Sequence, residues 1–196
     1  MEVILKILLV FLLSFIFCFG EVKTITSQDG SILVETHYVN GKKDGIEKIY
    51  YSNHVLQAEI QYSKGLKSGN VKSYYKTGEL ESEAIFVDDQ VKGDMVYYYK
   101  SGEKKMIVPY KNNQSNGVLK KYYKDGTLYY EEPNVNNSIQ GTSRKYYNDG
   151  SLFQEITVEN EKVVSAFVYS RDGKKSLMTA RDIENRHNDG LIPKEE

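Results

Sequence analysis

The sequence predicts an all-β fold, an elongated antiparallel β-meander of 24-residue hairpin repeats. Three observations predict it. Glycine recurs at Gly45, Gly69, Gly93, Gly117 and Gly141, and the tyrosine pairs Tyr50-Tyr51, Tyr74-Tyr75, Tyr98-Tyr99, Tyr122-Tyr123 and Tyr146-Tyr147 keep the same 24-residue interval without an insertion. A second glycine follows at Gly78, Gly102, Gly126 and Gly150, with His54 in the same place earlier, and a leucine stands two residues on at Leu56, Leu80, Leu128 and Leu152. Apolar and polar residues alternate inside each copy, a period of two that belongs to strands and leaves no helical stripe. Seventeen tyrosines, no tryptophan and three prolines suit a pleated sheet, where aromatic side chains pack across strands.

Taken in order, residues 1–20 read as a signal peptide: Lys6 precedes an apolar run from Ile7 to Phe19, and Glu21-Val22-Lys23 returns to polar chain. The run is short for a membrane-spanning helix, which needs roughly 17 to 25 apolar residues. Cys18 and Gly20 are small enough to precede a cut, which places cleavage between Gly20 and Glu21. Two alternatives stay open: a lipid-modified Cys18, against which the bulk of Phe17 weighs, and an uncleaved anchor. The expected location is periplasmic, cell-surface or secreted, and cleavage after Gly20 leaves the mature chain without a cysteine.

Residues 21–175 form the repeat domain. Glu21 to Asp44 is an imperfect first copy, since Asp29-Gly30 matches Asp125-Gly126 and Tyr38 matches Tyr62. Full copies start near 45, 69, 93, 117 and 141, and a degraded one near 165, where Tyr169 and Asp172-Gly173 fall one residue early. Degenerate end copies suit the capping of a stacked array. Within a copy, Gly69 to Tyr75 is a strand and Lys76-Thr77-Gly78-Glu79 a turn, whose glycine accepts the positive φ of a tight bend. Leu80 to Phe86 is the second strand, and the Asn/Asp-rich joins Val87 to Lys92 and Lys111 to Asn116 are turns. The sequons at Asn113-Gln114-Ser115 and Asn136-Asn137-Ser138 fall in these turns. Residues 176–196 are a polar tail, a short helix or loose chain.

Alternation assigns faces. Leu80, Ser82, Ala84 and Phe86 fall on one side, and Glu59, Glu83, Glu131 and Glu155 on the other. Lys48, Lys72, Lys120 and Arg144 share the face of the first tyrosine of each pair, while Val71, Met95 and Leu119 share that of the second. A four-residue connection sets each Glu opposite its Lys, Lys48 to Glu59 for example, and gathers the apolar residues behind the charged face. A glycine-bulge hairpin instead shifts the pairing by one residue and flips a strand. Pro109 and Pro133, unable to donate to a ladder, are expected to end their strands early or bulge them, bending the sheet near its middle.

Lys+Arg 26 against Asp+Glu 27 leaves a net charge of -1, which gives no footprint for nucleic acid. His37, His54 and His187 are isolated, so no metal site is expected. No nucleophile motif is present, and a glutamate occurring once per copy reads as structural; neither catalysis nor a cofactor is expected. The candidate binding residues are the first tyrosines, Tyr50, Tyr74, Tyr98, Tyr122 and Tyr146, with Lys72 and Lys120, an outward stripe that suits a protein interface. A structural role, each ring covering a neighbouring lysine stem, is the competing reading. Tyr97-Tyr98-Tyr99 and Tyr129-Tyr130 thicken the stripe in copies three and four, the first place to look.

The unit Gly-x-x-x-x-Tyr-Tyr-x-x-Gly-x-Leu-x-x-Glu, with lapses at His54, Lys104 and Ile107, resembles the MORN-variant repeat over about residues 26 to 175. It is similar to the repeats of bacterial proteins labelled YwqK-type antitoxin components. The resemblance implies an antiparallel β-array used for protein contacts or lipid contacts. Such repeats also occur attached to phosphatidylinositol phosphate kinases, but nothing in this chain resembles a kinase domain. The expected function is an exported, non-enzymatic scaffold that binds another protein at the cell envelope. The alternatives are an envelope glycan or lipid-headgroup binder, to whose choline-binding cell-wall repeats the Tyr-Tyr-x-Asp-Gly pattern bears a resemblance, and an antitoxin component.

Overall fold

The computed structural model describes residues 20–179 together with Arg181 and Ile183. The expected signal peptide up to Phe19, Cys18 included, and the tail beyond Ile183, with His187, lie outside the described residues. Among the described residues seventeen strands make one sheet. β1 (Gly20–Thr26) and β2 (Ile32–Val39) are the imperfect first copy. β3 (Lys42–Tyr50) with β4 (Leu56–Ser63), then β5 (Leu66–Tyr74) with β6 (Leu80–Val87), are the next two hairpins. In the following three the first strand is interrupted. There β7 (Gln90–Val91) and β8 (Gly93–Tyr98) face β9 (Lys104–Lys111), and β10 (Gln114–Ser115) and β11 (Gly117–Tyr122) face β12 (Leu128–Val135). β13 (Ser138–Ile139) and β14 (Gly141–Tyr146) face β15 (Leu152–Glu159), and β16 (Lys162–Tyr169) and β17 (Lys175–Leu177) end the array. Every pairing is antiparallel and, with each interrupted strand counted as one, joins chain neighbours, so the sheet is an open meander.

The hairpin turn uses both devices that the sequence left open. In copy four Gly126, at φ +87, donates to Tyr123 O at 3.0 Å while Tyr123 N–H donates to Thr127 O at 2.8 Å, which closes a glycine-bulge turn. Alone, that turn would slide the strands by one residue. A second irregularity between Lys121 and Tyr122 takes Tyr129 up as an extra residue and restores the register, so Lys120 meets Glu131. Lys48 meets Glu59, Lys72 meets Glu83 and Arg144 meets Glu155 in the same way. The extra residue carries a correction: simple alternation does not cross it, and Leu80 pairs with Tyr74 rather than continuing the row of Ser82, Ala84 and Phe86.

The joins are tight two-residue turns. Asn136 and Asn137 take φ 51 and 68 between the paired Val135 and Ser138, and Asp88 and Asp89 take 49 and 64 between Val87 and Gln90. Two successive left-handed residues make the turn whose twist matches a hairpin, and Asn and Asp tolerate it. Past each join the incoming strand carries two extra residues: Asn134 pairs with Ile139 but Glu131 with Arg144. The repeat glycine lies in this bulge. At Gly117, φ is +127 and a Cβ would stand 2.8 Å from Pro109 Cγ, so only glycine fits. The prolines therefore do not end their strands. β9 and β12 run through them, and the bulge sits on the facing strand as it does in copies without proline. In the last copy Ser165 replaces the glycine and the bulge shrinks to one residue, which is why Tyr169 and Gly173 come early.

The sheet is a single layer, and among the described residues no large side chain is fully buried. One face carries the Lys/Glu row. The other, the packed face, buries Ala84, Val108, Tyr130, Ile156, Val158 and Ala166, but also Thr36, Glu47, Lys121, Asn134 and Ser143. The expected apolar backing is thus mixed. Its most continuous part is at the end of the array, where Ile156, Val158 and Ala166 pack with Ile139, Val163, Met178 and Ile183. Arg181 and Ile183 are helical, so residues past the repeat pattern help close its last open side.

Candidate functional site

The ladder face is a row of cross-strand partners. It runs Glu35, Lys48, Glu59, Lys72, Glu83, Val96, Ile107, Lys120, Glu131, Arg144 and Glu155, each paired with the next. Charge alternates along it except at Val96 and Ile107. Arg144 reaches Glu155 at 3.0 Å and Glu131 at 3.3 Å, so it bridges two hairpins.

The candidate tyrosines lie along this row, half-buried. Tyr74 donates to Glu59 at 3.2 Å, Tyr98 to Glu83 at 2.6 Å and Tyr146 to Glu131 at 2.8 Å, each tying a copy to the one before. Burial and the neighbouring carboxylate push the Tyr98 and Tyr146 hydroxyls up to about 12. Ile107 stands where Tyr122 would find a glutamate, and neither Tyr122 nor Tyr50 makes this bond. Lys72 is half-buried between Glu59 and Glu83; Lys120 is exposed beside Glu131. Tyr50, Tyr74, Tyr98, Tyr122, Tyr146, Lys72 and Lys120 therefore share one face, but three of the hydroxyls are engaged within the array.

The second tyrosines hold the copies together. Tyr51, Tyr75, Tyr99 and Tyr123 donate to the carbonyls of Tyr74, Tyr98, Tyr122 and Tyr146 at 2.8, 2.7, 2.6 and 2.9 Å, and Tyr147 donates to that of Tyr169 at 3.0 Å. The extra hairpin residue covers the same ring: Tyr129 lies edge-on to Tyr123 and Phe153 tilts against Tyr147, each at 5.0 Å between centroids. The joins add a third tie. Ser115 N–H donates to Asn137 Oδ1 at 2.7 Å and Asn137 N–H to Ser115 O at 3.0 Å, which satisfies backbone left open by the bulge. The 24-residue spacing contains these ties but does not reveal them.

On the packed face of copies three and four a groove of about 600 Å³ opens. Its packed-face walls are Tyr97, Tyr99, Met106, Val108, Tyr110 and Leu119, with Glu81, Lys105, Lys121, Glu132 and Asn134 among the polar groups. Tyr97 donates to Met95 Sδ at 2.9 Å, and burial, then Tyr110 and Glu81, push its hydroxyl pKa up. Lys121 is only 8 % exposed, its ammonium over the Tyr130 ring at 5.5 Å. Burial lowers its pKa against the opposing pull of Glu132. Glu132 is held in turn by Tyr130 and by Asn134 Nδ2 at 3.1 Å. Ser115 Oγ is buried in the groove wall without a hydrogen-bond partner. The region matches the thickened tyrosine stripe of the sequence, but the cavity lies opposite the ladder. Its walls come mainly from Met106, Val108, Tyr110 and Leu119, whose alternation marks a packed face and says nothing of a hollow.

His37 Nδ1 lies 2.7 Å from Ile46 O, and His54 takes the left-handed turn position at φ 65. Among the described residues no group of three His, Cys, Asp or Glu side chains gathers to hold a metal ion. The family model described as MORN repeat variant matches residues 43–64, 67–88, 92–112, 115–137 and 139–160. No curated protein matches the chain.

Proposed function

Starting from a chain that belongs to the MORN repeat-variant family, a class of repeat proteins for binding or scaffolding and in general not catalytic, we propose that it is an exported scaffold which grips another protein at the cell envelope through the groove of copies three and four. The observation that carries this reading is the groove itself. Aromatic and aliphatic walls, with a few polar groups at defined places, suit an extended segment bearing apolar side chains. Tyr97, Tyr99 and Tyr110 supply large contact area at low cost in conformational entropy. Residues 1–20 support export. An antitoxin role would need the chain to stay in the cytoplasm.

The test is in-cell photo-crosslinking, with benzoylphenylalanine at Tyr110 and, as a control, at the exposed turn residue Asn148, followed by fractionation. A discrete protein adduct from position 110, extracytoplasmic and lost on Leu119→Asp, is the expected result. A cytoplasmic protein, no adduct, or capture of lipid or glycan in its place overturns the reading.

A further inference from the structure

The ladder face carries exposed aliphatic side chains where a single-layer sheet has nothing to cover them. Ile85 is 53 % exposed and Val118 44 %, and both flank the uncharged pair Val96 and Ile107. This apolar break divides the charge alternation, with Glu35, Lys48, Glu59, Lys72 and Glu83 on one side and Lys120, Glu131, Arg144 and Glu155 on the other.

We propose that this face is an isologous interface between two copies of the chain, stacked about a twofold axis that runs along the strands midway between Val96 and Ile107. Turning the row about that axis lays Val96 over the second copy's Ile107, Glu83 over Lys120, Lys72 over Glu131 and Glu59 over Arg144. Opposite charges meet at each step because residues equidistant from the axis are an odd number of strands apart in an alternating row. One row nearer the joins, where Asn70 pairs with Ile85 and Val118 with Pro133, the same rotation lays Ile85 over Val118. The exposed aliphatics thus cover each other. A slip by one strand instead sets Lys72 on Lys120 and Glu59 on Glu131, so the alternation selects one register by repulsion as well as attraction. A second copy of this chain fits this face because the face is complementary to itself. The proposal does not rest on the partner groove, which opens on the opposite side.

Sedimentation equilibrium and zero-length carbodiimide cross-linking of the folded protein test it. Glu83 and Lys120 of one chain are three strand spacings apart, about 14 Å, beyond the reach of a direct amide, so a cross-link between them has to join two copies. The expected result is a concentration-dependent dimer that yields this cross-link. Glu83→Lys or Lys120→Glu alone is expected to raise the dimer dissociation constant roughly tenfold, since each change sets two like-charged pairs face to face. The double variant recovers most of the association, although it places like charges beside Lys72 and Glu131 within each chain. Far-UV circular dichroism separates lost association from lost fold. A monomer at the highest soluble concentration, a dimer without the Glu83–Lys120 cross-link, or a folded double variant that does not recover overturns the proposal.

Discussion

Replacing Tyr99 by phenylalanine removes one oxygen from the middle of the array. Tyr99 is 4 % exposed, and its hydroxyl donates at 2.6 Å to the carbonyl of Tyr122 in the next copy. The ring still packs, so the loss is that of the hydrogen bond, about 1 kcal/mol, rising to about 3 kcal/mol if the carbonyl is left without a donor in its sheltered position. With a urea slope of about 2 kcal/mol/M, a loss of about 2 kcal/mol lowers the unfolding midpoint by about 1 M. Tyr50→Phe is the control, because Tyr50 makes no such bond, and a change within about 0.5 kcal/mol is expected there. The Tyr99 bond crosses from one copy to the next. It therefore strengthens a nearest-neighbour interface, and the variant is also expected to lower the apparent slope as the two halves of the array begin to unfold separately. Urea titrations followed by far-UV circular dichroism measure both quantities. Equal midpoints for Tyr99→Phe and Tyr50→Phe would refute the view that these hydroxyls hold the copies together.

Gly126→Ala meets no atom within 4 Å and is expected to cost about 1 to 2 kcal/mol for its left-handed backbone alone. Gly117→Ala adds a contact of 2.8 Å with the Pro109 ring and is expected to cost about 1 to 3 kcal/mol more; the excess shrinks on a Pro109→Ala background, as a double-mutant cycle in urea will read. At Glu47, burial raises the carboxyl pKa, but hydrogen bonds from Lys43 at 2.5 Å and Thr36 at 2.9 Å outweigh it and leave the group depressed. At Glu155 the hydrogen bond from Tyr169, then Arg144, has the same net effect. Stability contributed by both is full above the unfolded glutamate value of about 4.3 and is lost as pH falls through their lower folded values. Thermal unfolding between neutral and acid pH should show this slope, reduced in Glu47→Gln; an unchanged slope would count against the assignment.

The recurrence of glycine, tyrosine pair, glycine and leucine determined an antiparallel meander and the pairing of Lys48 with Glu59 and of its equivalents. These are local properties: a period of two, a turn that needs positive φ, and charges that repeat with the hairpin. Where alternation was followed across the turn it failed, because Glu81 and its equivalents are extra residues, and a bulge is a compromise between turn and ladder that composition does not record. Pro109 was legible as an irregularity but not as the wall against which Gly117 fits, since that wall belongs to the preceding hairpin. The tyrosine stripe put Tyr98 and Tyr122 on one face. Which hydroxyls are engaged, and on which side copies three and four form a hollow, was decided only when neighbouring hairpins were stacked with their twist. Sequence determines what each hairpin is because its strands and turn lie within one 24-residue stretch; the ties between Tyr99 and Tyr122, the groove at Lys121 and the closure by Met178 and Ile183 join separate stretches, and only the assembled sheet brings those atoms into reach.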